Sequence, residues 1–370
     1  MTRATCLSVG LAILCWAGSL KAQERTTVGG YGEIHYSNPT GPNRPASVNV
    51  KRFVIFLGHT FSDRLAFRSE LEIEDAKIEG GTLGGEVGLE QLYVDYRLGG
   101  GVTLRSGLIL VPIGIVNETH EPPTFNGVER PAYHHDVLPT TWREIGFGIQ
   151  GTLASGFGYR AYLMNGLVGS GFSASEGIRG GRQEGREATF ANPSFTGRLE
   201  YARPGLKVGA AFWYGGATAG DTLIGRGAFS APVGVLAADL RWDRGAVAIR
   251  AEAATIHVTD AEKINARGAE GVGRRITGGY VEGAVNLLRS LGSASTERLN
   301  VFLRHERYNT QASVPAGVIA DPANSRRVTT VGLTYLPVAS VAFKADYAWV
   351  RNRARTGQVG VMSLGVGFWY

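Results

Sequence analysis

Apolar and polar residues alternate with a period of two along most of the chain. Leu65, Phe67, Leu71 and Ile73 alternate with Arg68, Glu70, Glu72 and Glu74. Phe195, Leu199 and Tyr201 alternate with Thr196, Arg198 and Glu200, and Leu240 and Trp242 with Asp239, Arg241 and Asp243. Leu299, Val301 and Leu303 alternate with Asn300, Arg304 and Glu306. Val341, Phe343, Ala345, Tyr347 and Trp349 alternate with Lys344 and Asp346. Successive side chains of a strand point to opposite faces, so each segment presents one apolar and one charged face. Segments of about ten residues with this pattern, bounded by turn residues, are the unit of a transmembrane β-barrel. Sixteen such strands are predicted, near 27–37, 50–60, 64–75, 87–98, 101–111, 143–153, 156–168, 194–203, 205–215, 233–243, 246–257, 275–287, 296–308, 327–336, 340–351 and 359–370.

The connections support the same architecture. Ser62-Asp63, Gly99-Gly100, Ala154-Ser155, Pro204, Arg244-Gly245, Leu288 to Ser295 and Pro337 to Ala339 are short, and they alternate with much longer segments. Bacterial barrels pair short periplasmic turns with longer extracellular loops, and an even strand count places both termini on the periplasmic side. A water-soluble β-sandwich would alternate as well, but it has no reason to sort its connections by length. The last strand, Gly360 to Tyr370, resembles the C-terminal strand of bacterial outer-membrane proteins, which implies that Phe368, Trp369 and Tyr370 are read by the barrel-assembly machinery. Tyr31, Tyr36, Phe61, Tyr96, Tyr201, Tyr214, Trp242, Tyr335 and Trp349 fall at strand ends, where interfacial aromatic girdles lie. The expected fold is all-β: a 16-stranded antiparallel transmembrane barrel over 23–370.

Composition changes this picture mainly at the N-terminus. Residues 1–22 read as a secretory signal: Arg3 charges its start, Cys6 to Trp16 form a short apolar core, and Ala22 is a suitable last residue before cleavage. Both cysteines fall inside it, so disulfides, Cys-ligated metals and Cys nucleophiles are excluded from the exported part. Loss of Arg3 and Lys21 lowers the net charge from +6 to +4, too mild a balance to imply nucleic acid as a partner. No later stretch has the roughly 20 apolar residues a membrane-spanning helix needs, so a barrel is the remaining way to cross a membrane.

About sixteen to eighteen strands leave an aqueous channel inside a barrel. The predicted inward bases are Arg68, Arg105, Arg198, Lys207, Arg241, Arg250, Arg304 and Lys344. The predicted inward acids are Glu70, Glu72, Glu74, Asp95, Glu200, Asp239, Asp243, Glu252, Glu306 and Asp346. Charged inner faces suit a wet lumen, and their mixed signs leave ion preference open. The connection 112–142 is long and proline-stiffened, the Pro122-Pro123 pair included, as a constriction loop needs. Its candidate polar residues are Glu118, His120, Glu121, Glu129, Arg130, His134, His135 and Asp136. Imidazole and carboxylate can together hold a divalent ion. The spacing here matches no standard metal signature, so a hydrogen-bonded constriction without metal or other cofactor is expected. Arg179, Arg182 and Arg186 beside Gly180-Gly181 form a basic loop able to attract anions or lipopolysaccharide phosphates.

Three segments carry a family resemblance: Ala66-Phe67-Arg68-Ser69-Glu70, Gln91-Leu92-Tyr93-Val94-Asp95-Tyr96, and Leu104-Arg105-Ser106-Gly107 through Val111-Pro112-Ile113-Gly114. Together they resemble the phosphate-selective porin O/P family over the first half of the exported chain. Members of that family commonly carry Gln and Lys in the fifth strand where this chain has Leu108 and Leu110. Phosphate selectivity is therefore not implied, and the loop Asn117 to Phe125 is similar to a porin-like subgroup. The resemblance implies a channel for passive diffusion of small hydrophilic solutes or ions in the outer membrane, and sixteen-stranded porins suggest a homotrimer by analogy. The alternatives are an adhesin or structural barrel with a sealed lumen, and an outer-membrane hydrolase. The hydrolase would need an activated nucleophile, and no serine motif stands out.

Overall fold

The computed structural model describes residues 25–41, 44–75, 85–217, 231–269 and 271–370. The predicted signal, 1–22, lies outside them. Sixteen strands follow in order: β1 (Thr26–Pro39), β2 (Ser47–Thr60), β3 (Leu65–Glu74), β4 (Glu86–Gly99), β5 (Val102–Leu110), β6 (Arg143–Thr152), β7 (Phe157–Met164), β8 (Ser194–Arg203), β9 (Leu206–Gly216), β10 (Pro232–Arg244), β11 (Val247–Val258), β12 (Arg275–Asn286), β13 (Arg298–Ser313), β14 (Ser325–Val338), β15 (Val341–Asn352) and β16 (Val359–Trp369). Each pairs antiparallel with its sequence neighbours, and β16 closes on β1, with Tyr31 opposite Trp369. The seam is sealed by reciprocal backbone bonds between Gly30 and Tyr370, 3.0 and 2.9 Å. Closure leaves no unpaired edge, as a strand-built structure in lipid requires.

The predicted strand count holds, with differences at the ends. The largest is β13, which runs five residues beyond its expected end at 308. Its extra turn stays extended because the loops cover it: Thr310 donates to the Ala174 carbonyl and Gln311 to that of Gly271.

The two faces are chemically distinct. On β10, Leu236 is 62% exposed while Asp239 is 4% exposed. The apolar set on the outside, including Leu71, Phe147, Phe195, Leu303 and Phe343, forms the surface a bilayer would cover. Leu108 stands in the ladder between outward Leu92 and Ile145, so it is not an inner-face residue, and Leu110 ends β5 opposite Arg143.

The interior departs from the expected wet lumen in one half. Toward the long-loop end, the inner faces of β7 and β9–β12 turn apolar: Met164, Trp213, Val233, Val235, Ile256, Val258 and Ile276 are all buried. They pack against Ile113, Val116, Tyr133, Val137, Leu138 and Trp142 of the β5–β6 connection and Leu167, Phe172 and Ile178 of the β7–β8 connection. Trp142 and Trp213 meet at the centre, ring centroids 5.4 Å apart, both wholly buried. The reason is visible along each strand. On β10 the inner positions run Asp243, Arg241, Asp239 from the short-turn end and then change to Ala237, Val235 and Val233. A side chain of this size contributes about 1.5–3 kcal/mol when buried. Together they hold two loops inside the barrel.

Candidate functional site

The β5–β6 connection, 111–142, enters the barrel through a polar neck. Asn117 donates to the carbonyls of Val111 (2.7 Å) and Trp142 (3.1 Å) and accepts from the Trp142 amide (2.8 Å). The chain then crosses the interior and is pinned by inner-face carboxylates. The amide of Ile115 donates to Glu252 of β11 (2.8 Å), that of Val128 to Asp346 of β15 (2.6 Å), and that of Tyr133 to Glu306 of β13 (2.9 Å). Asn126 donates to Glu282 of β12 (2.9 Å), and Arg304 returns two bonds to the carbonyls of Asn126 and Glu129. Buried backbone donors need acceptors, and charged acceptors give the stronger bonds. Gly114 adopts φ 75°, and a Cβ there would lie 2.4 Å from Glu252 Oε1, so the sharp entry turn admits only glycine.

The charged residues of the strands engage one another mostly across neighbouring strands. Arg105 forks onto Asp95 (2.8 Å to each oxygen) and covers the Tyr93 ring, and Arg198 forks onto Asp239 (2.7 and 2.9 Å). Glu200 meets Lys207 at 3.0 Å and Arg198 at 3.2 Å, and Arg250 meets Asp243 at 2.8 Å. Arg304 lies 3.2 Å from Glu306 and 3.4 Å from Glu282. Glu72 faces Arg52 at 3.5 Å, Arg241 donates to Thr119 (3.3 Å), and Lys344 sits over the Phe125 ring. Arg68 remains exposed beside Gly58. Most of these charges are neutralised across neighbouring strands, and Glu252, Glu306 and Asp346 are committed to the crossing segment.

The loop residues separate into different places. Glu118 pairs with Arg160 of β7 at 3.1 Å. Glu129 accepts from His35 of β1 (2.8 Å), and Arg130 donates to the His120 carbonyl (3.1 Å). His134 lies 3.3 Å from Glu252, while His135 is exposed and bonds its neighbour Asp136, which also holds Arg326. Glu121 lines a cavity toward the short-turn end. His120 alone reaches a cluster of acids, with Nε2 at 3.4 Å from Glu70 and 3.3 Å from Glu90, all three buried. Burial opposes a charged imidazole there, but the Glu90 carboxylate and the bond to Glu70 outweigh it and raise His120 to about 10.

Several participants are absent from the residues expected from the sequence. Glu33 and His35 of β1 and Arg52 of β2 form a buried chain, Arg52 to Glu33 at 2.6 Å and His35 to Glu33 at 3.1 Å. Glu33 and His35 do alternate with Ile34 and Tyr36, which is the signal that marks them. Glu90 gives no such signal. It sits at a bulge in the β3–β4 ladder, beyond Glu70, so Glu90 and Gln91 both turn inward.

Among the described residues, three spaces inside the barrel bear on a solute path. Toward the short turns, one cavity of about 350 Å³ is lined by Gly58, Arg68, Glu70, Gln91, Tyr93 and His120. A second, of about 370 Å³, is lined by Arg241, Arg250, Glu282, Arg304, Phe125 and Asn126. Toward the long loops a recess of about 140 Å³ is lined by Glu72, Glu74, Glu86, Arg143, Arg179 and Arg182. Glu70 and Glu72, successive inner residues of β3, belong to the first cavity and to the recess respectively. The two spaces thus approach each other along the β2–β4 wall, at the level of the buried His120, Glu70 and Glu90.

No family model matches the chain. An uncharacterized protein of Aquifex aeolicus is 35% identical over 339 residues, covering 88% of this chain and 76% of that protein. Among solved structures, OmpF of Salmonella typhi in complex with daunomycin superposes with a TM-score of 0.62 at 13% identity, covering 93% of this chain and 97% of that one. The outer membrane channel DcaP of Acinetobacter baumannii gives 0.58 at 10% identity over 93% and 97% of the two chains. An anion-selective porin from Comamonas acidovorans gives 0.57 at 10% identity over 93% and 99%. At such identities the likeness is one of fold, and the resemblance to the phosphate-selective O/P family extends only to the barrel they share.

Proposed function

We propose, from the premise that the chain belongs to the same family as the Aquifex aeolicus protein, that it is an outer-membrane channel for passive diffusion of small hydrophilic solutes or ions. The observation that carries this reading is that a cavity and a recess both lie on the β2–β4 wall, lined by the successive inner residues Glu70 and Glu72. The path runs beside the crossing segment, past Arg179 and Arg182 at the outer mouth, Glu72 and Glu70 at the neck, and Arg68 and Tyr93 below. The remaining inner charges, Arg105, Arg198, Glu200, Asp239, Arg241, Arg250, Glu252, Arg304, Glu306, Lys344 and Asp346, brace the wall and the segment, and mixed signs along the path favour neither anions nor cations strongly. Leu108 faces outward and Leu110 carries no polar group, so neither supports a phosphate site. Export by a signal over 1–22, recognition of Phe368, Trp369 and Tyr370 by the assembly machinery, contact with lipopolysaccharide, and trimer formation belong to the same reading.

The apolar packing of the outer half favours one competing reading, a sealed structural barrel or adhesin. Liposome swelling separates the two. Vesicles carrying the folded barrel swell in isotonic arabinose if the path is open; vesicles that stay unswollen while a general porin control swells would refute the channel.

A further inference from the structure

We propose that His120, Glu70 and Glu90 form a binding site for a divalent transition-metal cation of the zinc class, on the β2–β4 wall where the outer recess and the inner cavity approach each other. Their ligand atoms all lie within 4.8 Å of one another. The His120 Nε2 distances, 3.4 Å to Glu70 and 3.3 Å to Glu90, match the edge of a tetrahedron about zinc, about 3.4 Å for bonds of about 2.1 Å. One imidazole with two carboxylates suits zinc and its neighbours, whereas calcium and magnesium favour oxygen alone.

Each ligand is already oriented by a second group. His120 Nδ1 lies 3.1 Å from the Asn117 carbonyl, so it carries a proton and leaves Nε2 as the donor atom facing the acids. Asn117 is itself locked into the loop neck. Glu70 Oε2 accepts from Gln91 at 2.6 Å, which leaves Oε1 directed at His120. The ion pairs of Glu70 and Glu90 among the described residues are with His120, because the nearby Arg52 is engaged by Glu33 and Glu72.

An independent observation points to an absent cation. Glu90 is completely buried; its Oε1 has no N–H donor, and besides His120 its neighbours are the carboxyls of Glu70 and Glu72. A buried carboxylate oxygen without a donor is costly, and a metal ion shared with Glu70 and His120 supplies the missing positive partner. Three protein ligands leave a further coordination position for water or a solute group.

The test uses the full barrel, folded in detergent, stripped with chelator and titrated with zinc chloride alone by calorimetry, with bound zinc counted after dialysis. One zinc per chain is expected, weakened at least tenfold in His120→Ala and in Glu90→Gln, and unchanged in His135→Ala, whose imidazole is exposed away from the cluster. Glu90→Gln preserves shape, so it decides the matter if His120→Ala fails to fold. Three results would overturn the site: no zinc bound by the folded wild-type barrel, equal binding by Glu90→Gln, or equal loss in His135→Ala. Calcium competing as strongly as zinc would overturn the metal class. None of these outcomes depends on whether the barrel conducts.

Discussion

Asp136 shows how a single loop residue is held inside a barrel. It lies in the one-turn helix Tyr133–Asp136 and faces His135, Arg326 and Tyr308. Burial pushes its carboxyl up, but the His135 bond and the Arg326 charge outweigh that and hold it below the ordinary aspartate value. A carboxylate with a lowered folded value stabilises the fold above its unfolded value of about 3.9, and the contribution is lost as pH falls through the folded value. Asp136→Asn is therefore expected to cost roughly 1–3 kcal/mol at neutral pH. The deficit relative to wild type should shrink below about pH 4, as read from denaturant midpoints across pH. Gly114 gives a second prediction at this scale. Gly114→Ala forces a left-handed alanine, roughly 1–2 kcal/mol, and drives a methyl into Glu252, which then loses the Ile115 amide. A lowered heat-dissociation temperature is expected; no change would mean the segment is not pinned at Glu252.

At the scale of elements, the crossing segment is held by packing as much as by hydrogen bonds. Trp142 lies wholly buried against Trp213, and Trp142→Ala should cost about 3–5 kcal/mol. The loss should appear as earlier thermal unfolding and faster proteolysis within 111–142, with the barrel strands still intact. What the sequence makes legible is decided at this level. Period-two alternation locates strands such as β3, where Leu71 and Glu72 face opposite ways, because lipid and water differ so sharply. It is blind where both faces are apolar. Val233 to Ala238 lacks the polar alternate, and such a run marks a strand apolar on both faces. Here it marked the half of the lumen filled by loops. Alternation also assumes an unbroken ladder, so the bulge that turns Glu90 inward beside Gln91 leaves no trace in it. His120 was recognisable as a loop histidine, but its partners lie 50 and 30 residues away, and only barrel closure brings them together.

For the whole molecule, sixteen strands enclose a width that would conduct freely if empty, and two infolded loops occupy much of it. In the proposed reading, solutes pass along the β2–β4 wall between the inner cavity and the outer recess, and the passage is narrowest at the layer of His120 and Glu70. Conductance should therefore be real but smaller than the strand number alone would give, and it should grow when the filling is removed. Single-channel recording in planar bilayers, comparing wild type with a chain whose 113–138 segment is replaced by a short Gly-Ser linker, tests this most directly. Discrete conductance steps in the wild type, and larger steps in the shortened chain, are the predicted result. A folded wild-type barrel that inserts and yields no steps, while the shortened chain conducts, would contradict the account and identify a sealed barrel.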